Sequence, residues 1–387
     1  MKLRALLVLT LLLLGACQTT QVSRLHVDEV LRDDLFPDAS SIPIESVEDI
    51  FALNPAIIEK LKPIIAKTPN LALRRDALID ELFDQSVLNL RYENSANTTA
   101  SETSEQKQAN CLSMSILAYS MAQYIGLEPV FQEVHIPEAW VRRDGFSMLN
   151  GHVNLKLKMQ AEKKNVDLMI VNGKEIVIDF DPEISRYHFP TNKIDKSRIV
   201  AMFYNNKGAD ALVQNNILAA YAYFRAAMRA DSTFVPTYGN IGIAYRMSGH
   251  YDAARDSYEA GLVYAPNHTN LLENLAVYYS HIGQPQKAEA LYEKVVLRRI
   301  NNPYYHFILG EEAMSKGRYD EALDFYRRAN SLNNKNHAFH FGLAKAWAML
   351  GDYDRSEREL LRARRYADNV EDEQKYTSKL QLFAGIR

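Results

Sequence analysis

The chain has 387 residues, 47% of them hydrophobic and 24% charged, with a formal net charge of −3. That length accommodates two or three domains, and the composition is ordinary for folded ones. The balanced charge argues against a nucleic-acid partner, and two cysteines exclude a disulfide framework.

The chain opens differently from its body. Lys2 and Arg4 precede an apolar run over 5–14, too short to span a bilayer. The run ends in Leu14-Gly15-Ala16-Cys17. This tetrapeptide resembles the lipobox of bacterial lipoprotein signal peptides. The resemblance implies a signal peptide over 1–16, cleavage before Cys17 and lipidation of its thiol. A polar tether over 17–41 would follow. The alternative is a simple secretory leader with an incidental cysteine. Gln18 after the cysteine, in place of Asp, implies an outer-membrane address with the body facing the periplasm. The membrane would then be one partner, held by the acylated Cys17. Cys111 would be the one remaining thiol, in an oxidising compartment, where a lone thiol is either buried or useful.

The first body segment reads as helical. A short helix over 46–54 stops before Pro55, and 56–66 and 71–87 carry apolar residues at helical spacing. The polar stretch 94–109 is either a loop or, with Thr99 and Glu102 three apart, a short helix with a capping box. Residues 108–126, QANCLSMSILAYSMAQYIG, form the stretch on which the chain is centred. Cys111 stands at the first turn of a helix that is apolar nearly all round and ends at Gly126.

Strands follow. Residues 130–136 form the first and 140–151 read as a loop around Trp140. Residues 152–159 alternate, with His152, Asn154 and Lys156 on one face and Val153, Leu155 and Leu157 on the other. Residues 166–171 are a further apolar run, Asn172-Gly173 is a hairpin signal, and 175–181 alternate until Pro182. Helices followed by strands argue an α+β domain over 42–196.

Cysteine, histidine and carboxylate in that order suit a thiol nucleophile, its base and the group that orients the base. A helix N-terminus favours a thiolate at Cys111 and offers backbone N–H groups to an oxyanion. The carboxylate is Asp179 or Asp181, two apart on one side of a strand. The competing reading makes Cys111 a buried structural residue.

Asn110-Cys111-Leu112-Ser113, Gly126-Leu127, His152 opening a strand and Val177-Ile178-Asp179 closing one resemble the transglutaminase-like superfamily of papain-related thiol folds. The resemblance covers about 90–185. It implies Cys111 as nucleophile, His152 as base and Asp179 as third member, with Asp181-Pro182 as the alternative. Val153 and Asn154 stand where an aromatic usually follows the histidine, and the spacing to Asp179 is long.

From about 201 the period changes. Gly249, Gly283, Gly317 and Gly351 are 34 residues apart, the tetratricopeptide period. Ile241, Leu275, Leu309 and Leu343 keep one site, Ala254, Ala288, Ala322 and Ser356 a small site, and Tyr258, Tyr292, Tyr326 and Leu360 a large one. These residues set repeats over 235–268, 269–302, 303–336 and 337–370, a divergent first repeat over 201–234, and a capping helix over 371–387. The groove would present Arg246, Glu273, His281, Tyr304, Phe307, Glu311, Phe341 and Lys345 to a protein or peptide.

The expected architecture is an α+β transglutaminase-like domain, helices plus antiparallel sheet, followed by an all-α tetratricopeptide-repeat solenoid of about five repeats. The expected function is a membrane-anchored periplasmic cysteine peptidase or amidase working by acyl transfer, with repeats that bind a protein. The alternative is a non-catalytic lipoprotein scaffold. No cofactor-binding loop and no metal-ligand spacing is present in the sequence.

Overall fold

The computed structural model describes residues 27–68, 70–83, 90–93, 95–135, 140–143, 146–149, 152–157, 175–180, 189–367 and 370–384. The leader with Cys17, the run at 166–171, Asn172-Gly173 and Asp181 lie outside them.

The chain enters through α1 (Val27–Val30) and a 3-10 turn at Pro37–Ser41. Three helices follow, α2 (Val47–Phe51), α3 (Pro55–Lys67) and α4 (Leu71–Phe83). Ser46 and Asp49 cap α2 reciprocally, and Asn54 caps α3 with Pro55 in its first turn, where a missing N–H costs nothing. Strand β1 (Arg91–Tyr92) leads to α5 (Ala100–Gln106), β2 (Gln108–Ala109) and α6 (Cys111–Tyr124). The Thr99–Glu102 capping box is present, so 94–109 holds a helix.

The strands are β3 (Pro129–Val134), β4 (Trp140–Arg143), β5 (Phe146–Leu149), β6 (His152–Leu157), β7 (Ile176–Ile178) and β8 (Thr191–Ile194). Four of them make an antiparallel sheet in the order β7-β6-β3-β8. Two differences from the sequence reading stand here. Residues 140–149, read as loop, form an antiparallel β4–β5 pair. Strand β8 was not foreseen: Thr191-Asn192-Lys193-Ile194 is an exposed sheet edge and has no apolar alternation to betray it.

Helix α6 is apolar nearly all round because most of it is enclosed. Ile116, Leu117, Met121 and Ala122 join one core with Leu78 and Leu82 of α4, Phe131 of β3, and Val153, Leu155 and Ile178 of the sheet. Tyr119 stacks on Phe131 at 4.3 Å between ring centroids. Gly126 ends the helix with φ +82°, a conformation glycine adopts without a Cβ penalty.

Ten helices then pair in sequence: α7 (Lys196–Val213) with α8 (Ile217–Ala230), α9 (Val235–Met247) with α10 (Tyr251–Tyr264), α11 (Thr269–His281) with α12 (Pro285–Ile300), α13 (Pro303–Ser315) with α14 (Tyr319–Leu332), and α15 (His337–Met349) with α16 (Tyr353–Arg365). Helix α17 (Val370–Ala384) closes the stack, burying Tyr376 against Phe341 and Leu360. The first pair begins at Lys196, ahead of the expected 201, because α7 belongs to two cores. Its Ile199, Val200, Phe203 and Tyr204 pack with α6 and the sheet, while Ala211 and Leu212 pack with the repeats.

The tether reading of 17–41 is corrected for its described part. Val30, Leu31, Phe36 and Ala39 are buried in the core of the first repeats. Phe36 stacks on Tyr221 at 4.4 Å. Tyr245 Oη donates to Val30 O at 2.8 Å and accepts from the Arg32 amide at 3.1 Å. Asp33 accepts from Tyr221 and Arg225. Scattered apolar residues without a period concealed this docking from the sequence. Among the described residues no helix is long and apolar enough to cross a membrane.

Candidate functional site

The site forms where the first turn of α6 meets one end of the sheet. Asn110 caps α6, its Oδ1 accepting from the Ser113 amide at 2.9 Å. The turn before it is fixed from both sides. The Asn110 amide donates to Ala96 O, the Thr98 amide donates to Ser113 Oγ at 2.8 Å, and Thr98 and Thr103 hydroxyls bond at 2.7 Å. Asn97 reaches across to Phe203 O of α7. These buried bonds hold Cys111 at a set height on the sheet, and Ser115 Oγ donates to Val153 O to fix the helix along it.

His152 opens β6, and the Cys111 thiol lies close enough to influence its ring. Its Nε2 lies 2.8 Å from Asp179 Oδ1. Asp179 follows directly on β7, and one step beyond the Leu155–Ile178 pair it comes opposite Asn154. Asn154 Nδ2 donates to its second oxygen, Oδ2, at 3.3 Å. Cys111, His152 and Asn154 are all buried, at 9%, 3% and 5% exposure, so the attraction between them is little screened by water.

Burial is the largest influence on the His152 imidazole and pushes its pKa down. The hydrogen bonds to Asp179 and Cys111, with the charges of both, outweigh it and raise the pKa to about 10. The carboxylate of Asp179 thus favours the protonated form of the buried ring.

The structure brings together Cys111, His152 and Asp179. Asn154 was placed by alternation on the His152 face but given no role; its position two residues along the same strand was the available signal. His337 and His340, three apart on α15, are committed elsewhere. His337 Nδ1 bonds Tyr376 Oη at 2.7 Å, and His340 bonds Glu359 at 2.7 Å. Among the described residues no cluster of His, Cys, Asp and Glu could hold a metal ion.

Several groove residues are already engaged. Phe307 is corrected from a ligand-facing position: it is buried between Tyr326 and Phe339. Glu273 pairs with Arg299 at 2.9 Å, Glu311 with Lys345 at 2.8 Å, and His281 stacks on Tyr251 at 4.0 Å.

Tetratricopeptide-repeat family models match residues 240–306, 282–333 and 313–376. Anaphase-promoting complex subunit 3 of Schizosaccharomyces pombe is 26% identical over 134 residues, which are 35% of this chain and 20% of that protein. Uncharacterized protein ycf37 of Pyropia yezoensis is 37% identical over 65 residues, 17% of this chain and 36% of that protein. The chain thus spans a minor part of the length of these relatives. Among solved structures, YrrB, described as a TPR protein with an unusual peptide-binding site, is 19% identical, with a TM-score of 0.24 and coverage of 46% of this chain and 92% of that one. The chain carries tetratricopeptide repeats.

Proposed function

We propose that the chain acts as a protein-binding scaffold of the bacterial envelope, binding a protein or peptide through its repeats. The observation that supports this is the unbroken 34-residue register from Gly249 to Gly351, matched by the repeat family. Such arrays present a concave surface to extended segments of other proteins. The lipobox at 14–17 supports lipidation of Cys17, an outer-membrane anchor and a periplasmic orientation for the body. Crosslinking in whole envelopes, followed by mass spectrometry, tests the scaffold: the chain should be joined to a defined partner through groove residues, and crosslinks scattered over the surface would count against it. Cys17→Ala should release the chain from the membrane fraction.

A second reading adds chemistry, and the His152–Asp179 hydrogen bond beside Cys111 favours it. It assigns 42–196 to a transglutaminase-like domain that performs acyl transfer. Cys111 Sγ attacks a peptide or amide carbonyl, forming a C–S bond while the carbonyl π pair moves to oxygen. N–H groups of the first α6 turn receive that oxyanion. His152 gives its proton to the leaving nitrogen, and the C–N bond breaks. Water or an amine then attacks the thioester, with His152 taking its proton and the thiolate leaving. Asp179 holds the ring and its charge throughout. A Cys111→Ala variant that processes envelope proteins as fast as the parent would sink this second reading.

A further inference from the structure

The end of the sheet that carries His152 also comes near the repeats. Val134 of β3 is paired with His152 on one side and with Thr191 of β8 on the other. Strands spaced ~4.8 Å apart put His152 and Thr191 about 10 Å apart. Just before Thr191, Pro190 O accepts from the His135 amide at 2.8 Å, and the Phe189 ring stands 6.0 Å from that of Tyr304. Tyr304 is in the first turn of α13, at the groove. One repeat further along lies Phe341 of α15.

Phe341 is ringed by cations. Nζ of Lys345, Lys375 and Lys379 lie 5.5, 4.9 and 5.7 Å from its ring centroid. Glu311 pairs with Lys345, and the buried Asp372 lies 3.7 Å from Lys375. Lys379 has no ion pair among the described residues, and its ammonium rests on the ring. An aromatic floor with lysines around it suits a segment that offers carboxylates and an apolar side chain.

We infer that the groove from Phe341 to Tyr304 docks an acidic, extended peptide segment of a protein partner, and that the adjoining residues of that segment run past Phe189 to Cys111. The inference rests on the two readings above, partner binding and a reactive thiol. It makes the repeats a presenting surface, since a chain at ~3.3 Å per residue covers the path from Tyr304 to His152 in about six residues.

The test uses the full-length chain and two fluorescein-labelled decapeptides, one alternating Glu with Leu and its Gln/Leu twin, each with and without an N-terminal chloroacetyl group. The Glu peptide should bind at least tenfold more tightly, with the preference shrinking in high salt. K375E/K379E should abolish the preference; K379Q alone, which breaks no ion pair among the described residues, should weaken it with the thermal melt unchanged. The chloroacetyl Glu peptide should alkylate Cys111 at least tenfold faster than chloroacetamide at equal concentration, because docking raises the local concentration. Equal binding of the two peptides, or a preference that survives K375E/K379E, overturns the proposal. So does tight binding without faster alkylation. Turnover is measured separately: a chain that docks and is alkylated in this pattern but cleaves nothing supports the docking inference and removes only the acyl-transfer reading.

Discussion

Asp179 Oδ1 lies 2.8 Å from His152 Nε2, on the neighbouring strand and 27 residues on in the chain. The pair is almost fully buried, at 4% and 11% side-chain exposure. A buried imidazolium needs that carboxylate, so its removal should cost more than a surface ion pair would. Asp179→Asn keeps the shape and loses the charge. Iodoacetamide labelling of Cys111 at pH 7 is expected to slow roughly tenfold or more, the scale of about one pKa unit of lost charge stabilisation. His152→Ala should slow it further. An Asp179→Asn variant labelled at the parent rate would leave Asp179 without a part in activating the thiol.

Asn154 holds the other oxygen of Asp179 at 3.3 Å. It touches no reacting atom and acts as a positioning residue. Asn154→Ala should cost about 1.5–3 kcal/mol of stability for a lost hydrogen bond to a charged group, with less effect on labelling than His152→Ala. Thermal melts together with labelling rates separate the two effects: a loss of labelling equal to that of His152→Ala would move Asn154 into the reacting group itself.

His152 supplies a pH signature. Burial lowers its pKa, but the bonds to Asp179 and Cys111 and their charges raise it to about 10 in the folded chain. The unfolded value is about 6.5. A raised pKa means that the folded state holds the proton more tightly. The stabilisation is therefore complete below about pH 6.5 and is lost as pH climbs through about 10. The difference in Tm between the parent and His152→Gln should be largest near pH 6 and shrink steadily towards pH 10.5. A difference that stays flat over that range would mean the imidazole is neutral in the fold.

Much of this was legible in the sequence because it is periodic. The repeat boundaries 235, 269, 303 and 337 fall on or beside helix starts, since glycines at the tight turns and the small and large core sites recur together. The His152–Asp179 contact could be read because each residue sits at the end of an element with a clear pattern. What escaped has no period. Strand β8 is an exposed edge, the β4–β5 pair is short, and residues 27–41 dock through single side chains spread along an irregular backbone. Phe307 was misread because position on a helix does not tell which neighbour has grown large enough to cover it.

The docked entry segment should carry measurable stability. Phe36 is 7% exposed and sits on Tyr221, and Tyr245 bonds both Val30 O and the Arg32 amide. Phe36→Ala empties a buried aromatic site and should cost about 3 kcal/mol. Tyr245→Phe removes only the hydroxyl and should cost about 1 kcal/mol. The two residues share one contact surface, so the double variant should fall short of the sum. Denaturant melts give the values. If Phe36→Ala left stability unchanged, residues 27–41 would be a tether after all.

The repeats contain their own control for how helix pairs close. A Cβ placed on Gly242 would lie 2.2 Å from the Tyr258 ring, and on Gly208 and Gly310 it would meet Phe224 and Tyr326 at 2.5 Å. In each of these pairs the ring is fully buried. Where Ala276 stands in place of the glycine, the partner Tyr292 is 37% exposed; where Ala344 does so, the partner is the smaller Leu360, which is 2% exposed. The helices thus accept one large group between them, either a ring over glycine or a leucine over alanine. Gly242→Ala should cost about 1–3 kcal/mol through overpacking, in spite of the better helix propensity of alanine. Tyr258→Leu alone should cost a similar amount through lost volume. Gly242→Ala with Tyr258→Leu recreates the Ala344–Leu360 pair, so its cost should fall at least 1 kcal/mol below the sum of the single costs. Denaturant melts of the four chains give the coupling, and strict additivity would mean that the glycines are kept for something other than room for the ring.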